Sequence, residues 1–165
     1  MNVGIAREID VSLVGKFITY SDFESTMSQL MARIRWAQKA ELAEWDGVIG
    51  VAWSGLPVAV HVAKNLGLPM DIMRPQKNTC WLPRRTFYRP LVVDDFYDTG
   101  KTSKIVHKTL TQHNSRLSLN RLNYAFAYSR DPKVHLFGTL ISEEIWLHFP
   151  WDKVYNSNKE ETKNV

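Results

Sequence analysis

Residues 91–102 read Leu91-Val92-Val93-Asp94-Asp95-Phe96-Tyr97-Asp98-Thr99-Gly100-Lys101-Thr102, and this stretch decides the fold. Three apolar residues run into two adjacent carboxylates, a third carboxylate follows three residues later, and Thr-Gly-Lys-Thr leads into a helical pattern. The order predicts a buried strand with acids at its C-terminal end, a tight turn and a helix N-terminus. In open α/β sheets ligands bind at the C-terminal ends of strands. A glycine turn at a helix N-terminus takes phosphate, because backbone N–H groups are unpaired there and the helix dipole is positive. Carboxylates beside such a cradle suit a ligand that also carries hydroxyls or a divalent metal. Gly100-Lys101-Thr102 is not the end of a P-loop, which needs a glycine five residues before Gly100, where this chain has Asp95.

Outward from that stretch the chain alternates strand and helix. Upstream, Val48-Ile49-Gly50-Val51-Ala52 is short and apolar throughout, as a buried parallel strand should be. Trp53-Ser54-Gly55-Leu56-Pro57 makes the turn, and Pro57 fits the first turn of a helix. That helix carries Leu56, Val60, Ala63 and Leu66 on one face and stops at Gly67. Leu68 to Met73 is the next strand. Arg74 to Arg89 lacks a clear period and reads as a basic loop or short ribbon; a lid reading would bring Lys77, Arg84 or Arg85 to a phosphate. Downstream, Lys101 to Leu110 is a helix with Ile105, Val106 and Leu110 inward. Leu122 to Tyr128 is a strand broken by Ser129-Arg130-Asp131-Pro132, and Thr139 to Ile141 is another. Near the start, Phe17 to Tyr20 is a short β-type run. Ser21 or Asp22 caps a helix to Trp36, whose Phe23, Met27, Leu30, Met31 and Ile34 form a core stripe. The alternation predicts an α/β fold, a Rossmann-like parallel sheet flanked by helices.

The 165 residues suit one domain over 1–155, with a polar, lysine- and glutamate-rich tail at 156–165 expected to be disordered. The net charge of +4 suits an anionic small ligand and does not by itself separate that from weak nucleic-acid attraction. Cys80 is the single cysteine, which rules out an internal disulfide and fits a reducing compartment, so a cytoplasmic location is expected. No apolar run reaches membrane-spanning length and Met1-Asn2-Val3-Gly4 opens no signal-peptide pattern; no membrane association is expected. The five histidines show no ligand spacing, so no zinc is expected. The basic, aromatic segment 74–89 is the sole support for nucleic-acid binding, which is therefore not favoured.

The acid pair, two variable residues and Asp-Thr-Gly-x-Thr together resemble the PRPP-binding motif of the type I phosphoribosyltransferases. Beyond the motif the chain is most similar to the bacterial xanthine-guanine phosphoribosyltransferases. Thr19-Tyr20-Ser21-Asp22, the run Ile49 to Leu68, and Trp146-Leu147-His148-Phe149-Pro150-Trp151-Asp152 carry that resemblance, which spans roughly residues 17 to 154. It implies the family fold with a small hood segment. It also implies a Mg²⁺-dependent glycosyltransferase (a pentosyltransferase) of purine salvage, moving 5-phosphoribosyl from PRPP to a 6-oxopurine (guanine, xanthine or hypoxanthine) and releasing pyrophosphate. The product would be a purine nucleoside monophosphate, and the protein a homo-oligomer, dimer or tetramer. In these roles Thr99, Gly100, Lys101 and Thr102 cradle the 5′-phosphate. Asp94 and Asp95 hold the ribose hydroxyls, directly or through Mg²⁺ and its waters, with Asp152 a further metal candidate. Asp98 is the catalytic group, handling a proton at the base. Trp53, Ser54 and Gly55 form the pyrophosphate loop, and Tyr128, Trp146 and Leu147 bind the base.

Three departures from the family stand out. Its pyrophosphate loop usually reads Ser-Arg-Gly-Gly, often with a cis non-proline peptide; here Ala52-Trp53-Ser54-Gly55 replaces the arginine by Trp53 and a glycine by Ser54. The segment 74–89 is shorter than the family's catalytic lid and lacks its Ser-Tyr pair. The purine-contacting lysine aligns with Tyr128, with Arg130 close by as a substitute. The departures keep a second function class open, a non-catalytic PRPP- or nucleotide-binding regulatory protein on the same fold.

Overall fold

The apolar runs on either side of the acid-bearing stretch pair into one sheet in the computed structural model, which describes residues 15–76, 80–113, 123–134, 136–142 and 144–152. In chain order the elements are β1 (Lys16–Phe17), α1 (Tyr20–Lys39), β2 (Gly47–Val51), α2 (Leu56–Leu66), β3 (Met70–Pro75), β4 (Cys80–Trp81), β5 (Pro90–Tyr97), α3 (Lys101–His113), β6 (Asn123–Ser129), β7 (Leu136–Leu140) and β8 (Leu147–His148). The six-stranded sheet runs β4-β3-β2-β5-β6-β7. All its neighbours are parallel except the β3–β4 pair. From β2 the chain steps one way to β3, and from β5 it steps the other way to β6. The crevice at the C-terminal ends of β2 and β5 is therefore the switch point, where such sheets take ligands.

Both sheet faces are covered, which is why β2 and β5 are nearly continuous apolar runs. Helices α1 and α2 pack on one face over Val48, Leu91, Val93 and Ala125. Helix α3 packs on the other with Val106 and Leu110 against Ile49, Val51, Met73 and Val92. Ile105, expected inward, is exposed. The stripe of α1 is as expected, with Met27, Leu30, Met31 and Ile34 buried and Phe23 packed at its edge. Its cap lies earlier than expected. Thr19 is the N-cap and Asp22 the third helical residue, each side chain accepting the other's backbone N–H at 3.1 and 2.9 Å. This is a reciprocal capping box.

In α2 the buried residues are Val58, Ala59, Val62 and Ala63, while Val60 is exposed. The inward face is rotated from the expected one: Val58 and Val62 are buried beside Ala59 and Ala63, and the approach is close, since a Cβ on Gly50 would lie 2.8 Å from that of Ala59. The segment after β3 is a short ribbon, with β4 antiparallel to β3 in the register Arg74↔Trp81 and Pro75↔Cys80. Lys77 lies outside the described residues, as do 153–165 with the expected tail. A separate two-stranded parallel piece, Lys16↔Leu147 and Phe17↔His148, forms the hood. Among the described residues no helix is long and apolar enough to cross a membrane.

Candidate active site

The register Gly50↔Val93 carries the end of β2 to the level of the acid pair on β5. Between them lies a polar cleft of about 230 Å³, lined by Val51, Ala52, Trp53, Ser54, Pro75, Asp94, Asp95, Phe96 and Thr102. The expected pyrophosphate loop, acid pair and cradle therefore meet in one place. The peptide bond between Ala52 and Trp53 is cis. Gly55 closes the loop against the acid pair: a Cβ there would sit 2.6 Å from Asp94 Oδ1 and 2.6 Å from the carbonyl oxygen of Val51. No side chain larger than hydrogen fits at that approach.

Asp94 is buried at 8% exposure, and its Oδ1 accepts the backbone N–H of Asp95 at 3.0 Å. Burial, and then the neighbouring charge of Asp95, pushes the Asp94 carboxyl well above the ordinary carboxylate range. Burial also raises Asp95, and the charge of Asp152 adds to this. Two acids held this way favour a cation or a set of hydroxyl donors in the cleft. Asp152 itself closes the turn of the Pro-Trp-Asp segment, its Oδ2 accepting from the Phe149 N–H at 2.7 Å.

The cradle begins where β5 ends. Gly100 has φ +71°, a left-handed conformation, and a Cβ there would meet the Tyr97 hydroxyl at 2.6 Å. The first helical bond runs from Lys104 N–H to Gly100 O, so the N–H groups that precede it at the start of α3 have no intrahelical acceptor. Thr99, Lys101 and Thr102 are exposed around them. A larger cavity of about 390 Å³ lies behind α3, against Tyr124, Phe126 and Leu136 on β6 and β7. Its lining has no carboxylate, and it lies off the switch point.

Asp98 follows the last β5–β6 register pair, Tyr97↔Ser129, and so does Arg130. The two meet: Arg130 Nε donates to Asp98 Oδ1 at 2.6 Å. Arg130 also donates to the carbonyl oxygen of Ile145 at 2.7 Å, tying the motif loop to the hood just before Trp146. Arg130, considered as a base reader, is thus paired with Asp98, the carboxylate expected to be catalytic. Sequence spacing alone missed this pair; strand pairing finds it, since both residues leave adjacent parallel strands at one level.

The base-binding candidates divide. Trp146 is 66% exposed, so its ring is open to a partner. Leu147 is buried and has only backbone to offer. The carbonyls of Trp146 and His148 accept from Lys16 and Ile18 at 2.8 Å each, so by the alternation of a strand that of Leu147 faces away from β1. Tyr128 is corrected: its ring is 2% exposed, packed 5.7 Å from Phe149, and reading a base would require it to leave the core.

No protein-family model matches the chain. The xanthine-guanine phosphoribosyltransferase of Nitratidesulfovibrio vulgaris strain DP4 is 25% identical over 126 residues, covering 68% of this chain and 72% of the relative. The purine phosphoribosyltransferase of Pyrococcus horikoshii superposes with TM-score 0.67 at 24% identity, over 83% of this chain and 93% of that one. The fold is that of the type I phosphoribosyltransferases. Within this fold the xanthine-guanine-hypoxanthine phosphoribosyltransferase of Helicobacter pylori aligns with TM-score 0.68 at 16% identity, over 87% and 97% of the two chains. A Neisseria gonorrhoeae protein with bound ppGpp aligns with TM-score 0.59 at 17% identity, over 91% and 97%. This phosphoribosyltransferase-fold chain is thus similar to purine phosphoribosyltransferases.

Proposed function

We propose that this protein is a purine-salvage phosphoribosyltransferase, moving 5-phosphoribosyl from PRPP to a 6-oxopurine with release of pyrophosphate. The observation that carries the reading is the acid pair Asp94–Asp95 beside the Gly100 cradle in the β2–β5 crevice. The likeness to the xanthine-guanine enzyme and the purine phosphoribosyltransferases supports the class of base.

In this reading the N–H groups and hydroxyls of Thr99 to Thr102 bind the 5′-phosphate, and Asp94 and Asp95 hold the ribose hydroxyls. The base stacks on Trp146, with the Leu147 carbonyl toward its edge. As the bond from C1′ to the pyrophosphate oxygen breaks, positive charge develops on the ribose and the paired carboxylates stabilise it. The bond from C1′ to the base nitrogen then forms. Asp98, oriented by Arg130, takes or shares the proton of the purine ring.

The donor set fits Mg²⁺. Two consecutive carboxylates, both raised by burial and Asp94 also by the charge of Asp95, suit a hard cation that takes one or two acids and completes its shell with water and substrate oxygens. Asp94 and Asp95 would hold it, and it would neutralise charge on the departing pyrophosphate. Asp152, with one oxygen on the Phe149 N–H, serves the turn first.

The test is PRPP consumption measured separately with guanine, xanthine, hypoxanthine, adenine and orotate, in Mg²⁺ buffer. The reading expects turnover with one or more of the first three and little with orotate. PRPP binding without turnover of any base would replace it by the regulatory reading, which the ppGpp-bound Neisseria neighbour supports.

A further inference from the structure

The cleft has a charge deficit that its own lining does not answer. Its side chains include two carboxylates and no cation, and the loop from Ala52 to Pro57 has no basic residue. A phosphoribosyl donor brings a diphosphate to this loop. Any cationic side chain that meets it must come from a neighbouring element.

One stands at the rim. Arg74 is on β3, one residue before Pro75, which lines the cleft. Its guanidinium lies over the ring of Trp53 at 4.8 Å and over the ring of Trp81 at 5.3 Å. Trp53 belongs to the loop and lines the cleft; Trp81 is the cross-strand partner of Arg74 on β4. Both indoles are large apolar surfaces left open, at 63% and 60% exposure. Among the described residues Arg74 forms no ion pair.

Stacking uses only the flat face of a guanidinium. Its N–H donors lie in the plane, in a fork that matches two phosphate oxygens. An arginine steadied by two rings therefore keeps its anion-binding edge free and has few rotamers left to lose when a phosphate arrives. A carboxylate partner would have closed that edge.

We propose that Arg74, stacked on Trp53 and Trp81, is the pyrophosphate-binding cation of this site. The inference rests on the phosphoribosyltransferase reading. It makes Trp53 and Trp81 positioning residues, and it makes the ribbon β3–β4 a part of the substrate site.

The test titrates inorganic pyrophosphate with Mg²⁺ into the full chain by calorimetry, with tryptophan fluorescence as a second readout, and titrates GMP in parallel. GMP has the 5′-phosphate but no diphosphate. R74Q is expected to weaken pyrophosphate binding by about 10–100-fold, the range for a lost charged hydrogen-bonding partner, and to leave GMP affinity unchanged. W53A should weaken pyrophosphate in the same direction, and W53F, which keeps a flat aromatic face, should restore most of it. Equal pyrophosphate affinity in R74Q and the unchanged chain would overturn the proposal. So would loss of both ligands in R74Q, which would assign Arg74 a structural role. An unchanged chain that binds GMP but no pyrophosphate also overturns it while leaving the cradle standing; one that binds neither removes the functional reading as well.

Discussion

Arg130 holds one oxygen of Asp98 with a charge-assisted bond of 2.6 Å, which fixes the carboxylate relative to the hood. Asp98→Asn should cut turnover by about 10²–10⁴-fold, the scale of an acid–base group, and leave PRPP binding near its original value. Steady-state kinetics beside equilibrium binding would check this, and unchanged turnover would remove Asp98 from the mechanism. Gly100 combines φ +71° with a contact of 2.6 Å that any Cβ would make to the Tyr97 hydroxyl. Gly100→Val should therefore weaken GMP binding with the fold kept; equal titrations would put the phosphate elsewhere. Asp94 predicts a trade of function against stability. Its carboxyl is raised by burial and by Asp95, so the native state favours the protonated form. Its contribution is intact below the ordinary carboxylate range and is lost as pH rises through the raised value. Asp94→Asn should then melt higher than the ligand-free parent, with a gap near zero at about pH 4 that grows toward neutral pH. About 1 kcal/mol of relief corresponds to roughly 2–4 °C in a chain of this size. PRPP binding should fall in the same variant.

At the scale of elements, the acid pair and the glycine turn were readable from the chain because each is a local pattern, whereas the exposure of Trp146 came from the structure. Tyr128 was misread because an alignment position carries no burial: only the β6 backbone and Phe149 show that its ring is core. Val60 was misread because apolar residues occur on more than one face of α2: the buried stripe is Val58, Ala59, Val62 and Ala63, and Val60 lies off it. Arg130 and Arg74 could not be found by spacing along the chain, since their partners stand on neighbouring strands. The hood is a small element with a separable task. Trp146→Ala should raise the apparent KM for the base and leave that for PRPP nearly alone, because the ring is exposed and the phosphate cradle lies on α3. Equal effects on both substrates would show that the hood shapes the whole cleft. Neither residue of the α1 capping box lines the cleft, and Thr19→Ala should cost about 1 kcal/mol in stability with kcat unchanged, as denaturant melts and kinetics would show.

For the whole molecule, sheet order and function are one argument. The reversal of strand order between β2 and β5 opens the crevice, and the two loops that follow those strands supply the Trp53 turn and the Gly100 cradle. Arg130 ties the hood to the second of these loops, bonding Asp98 on one side and the Ile145 carbonyl on the other. The alternation of strand and helix foretold the parallel sheet, but the place of the switch point needed the pairing itself. The central claim is that this crevice binds PRPP, and a crystal structure of the complex with Mg²⁺ and PRPP tests it most directly. The account predicts the 5′-phosphate on the N–H groups between Thr99 and Thr102 and the ribose hydroxyls at Asp94 and Asp95. PRPP seated instead in the cavity between α3, β6 and β7, with the acid pair untouched, would contradict it.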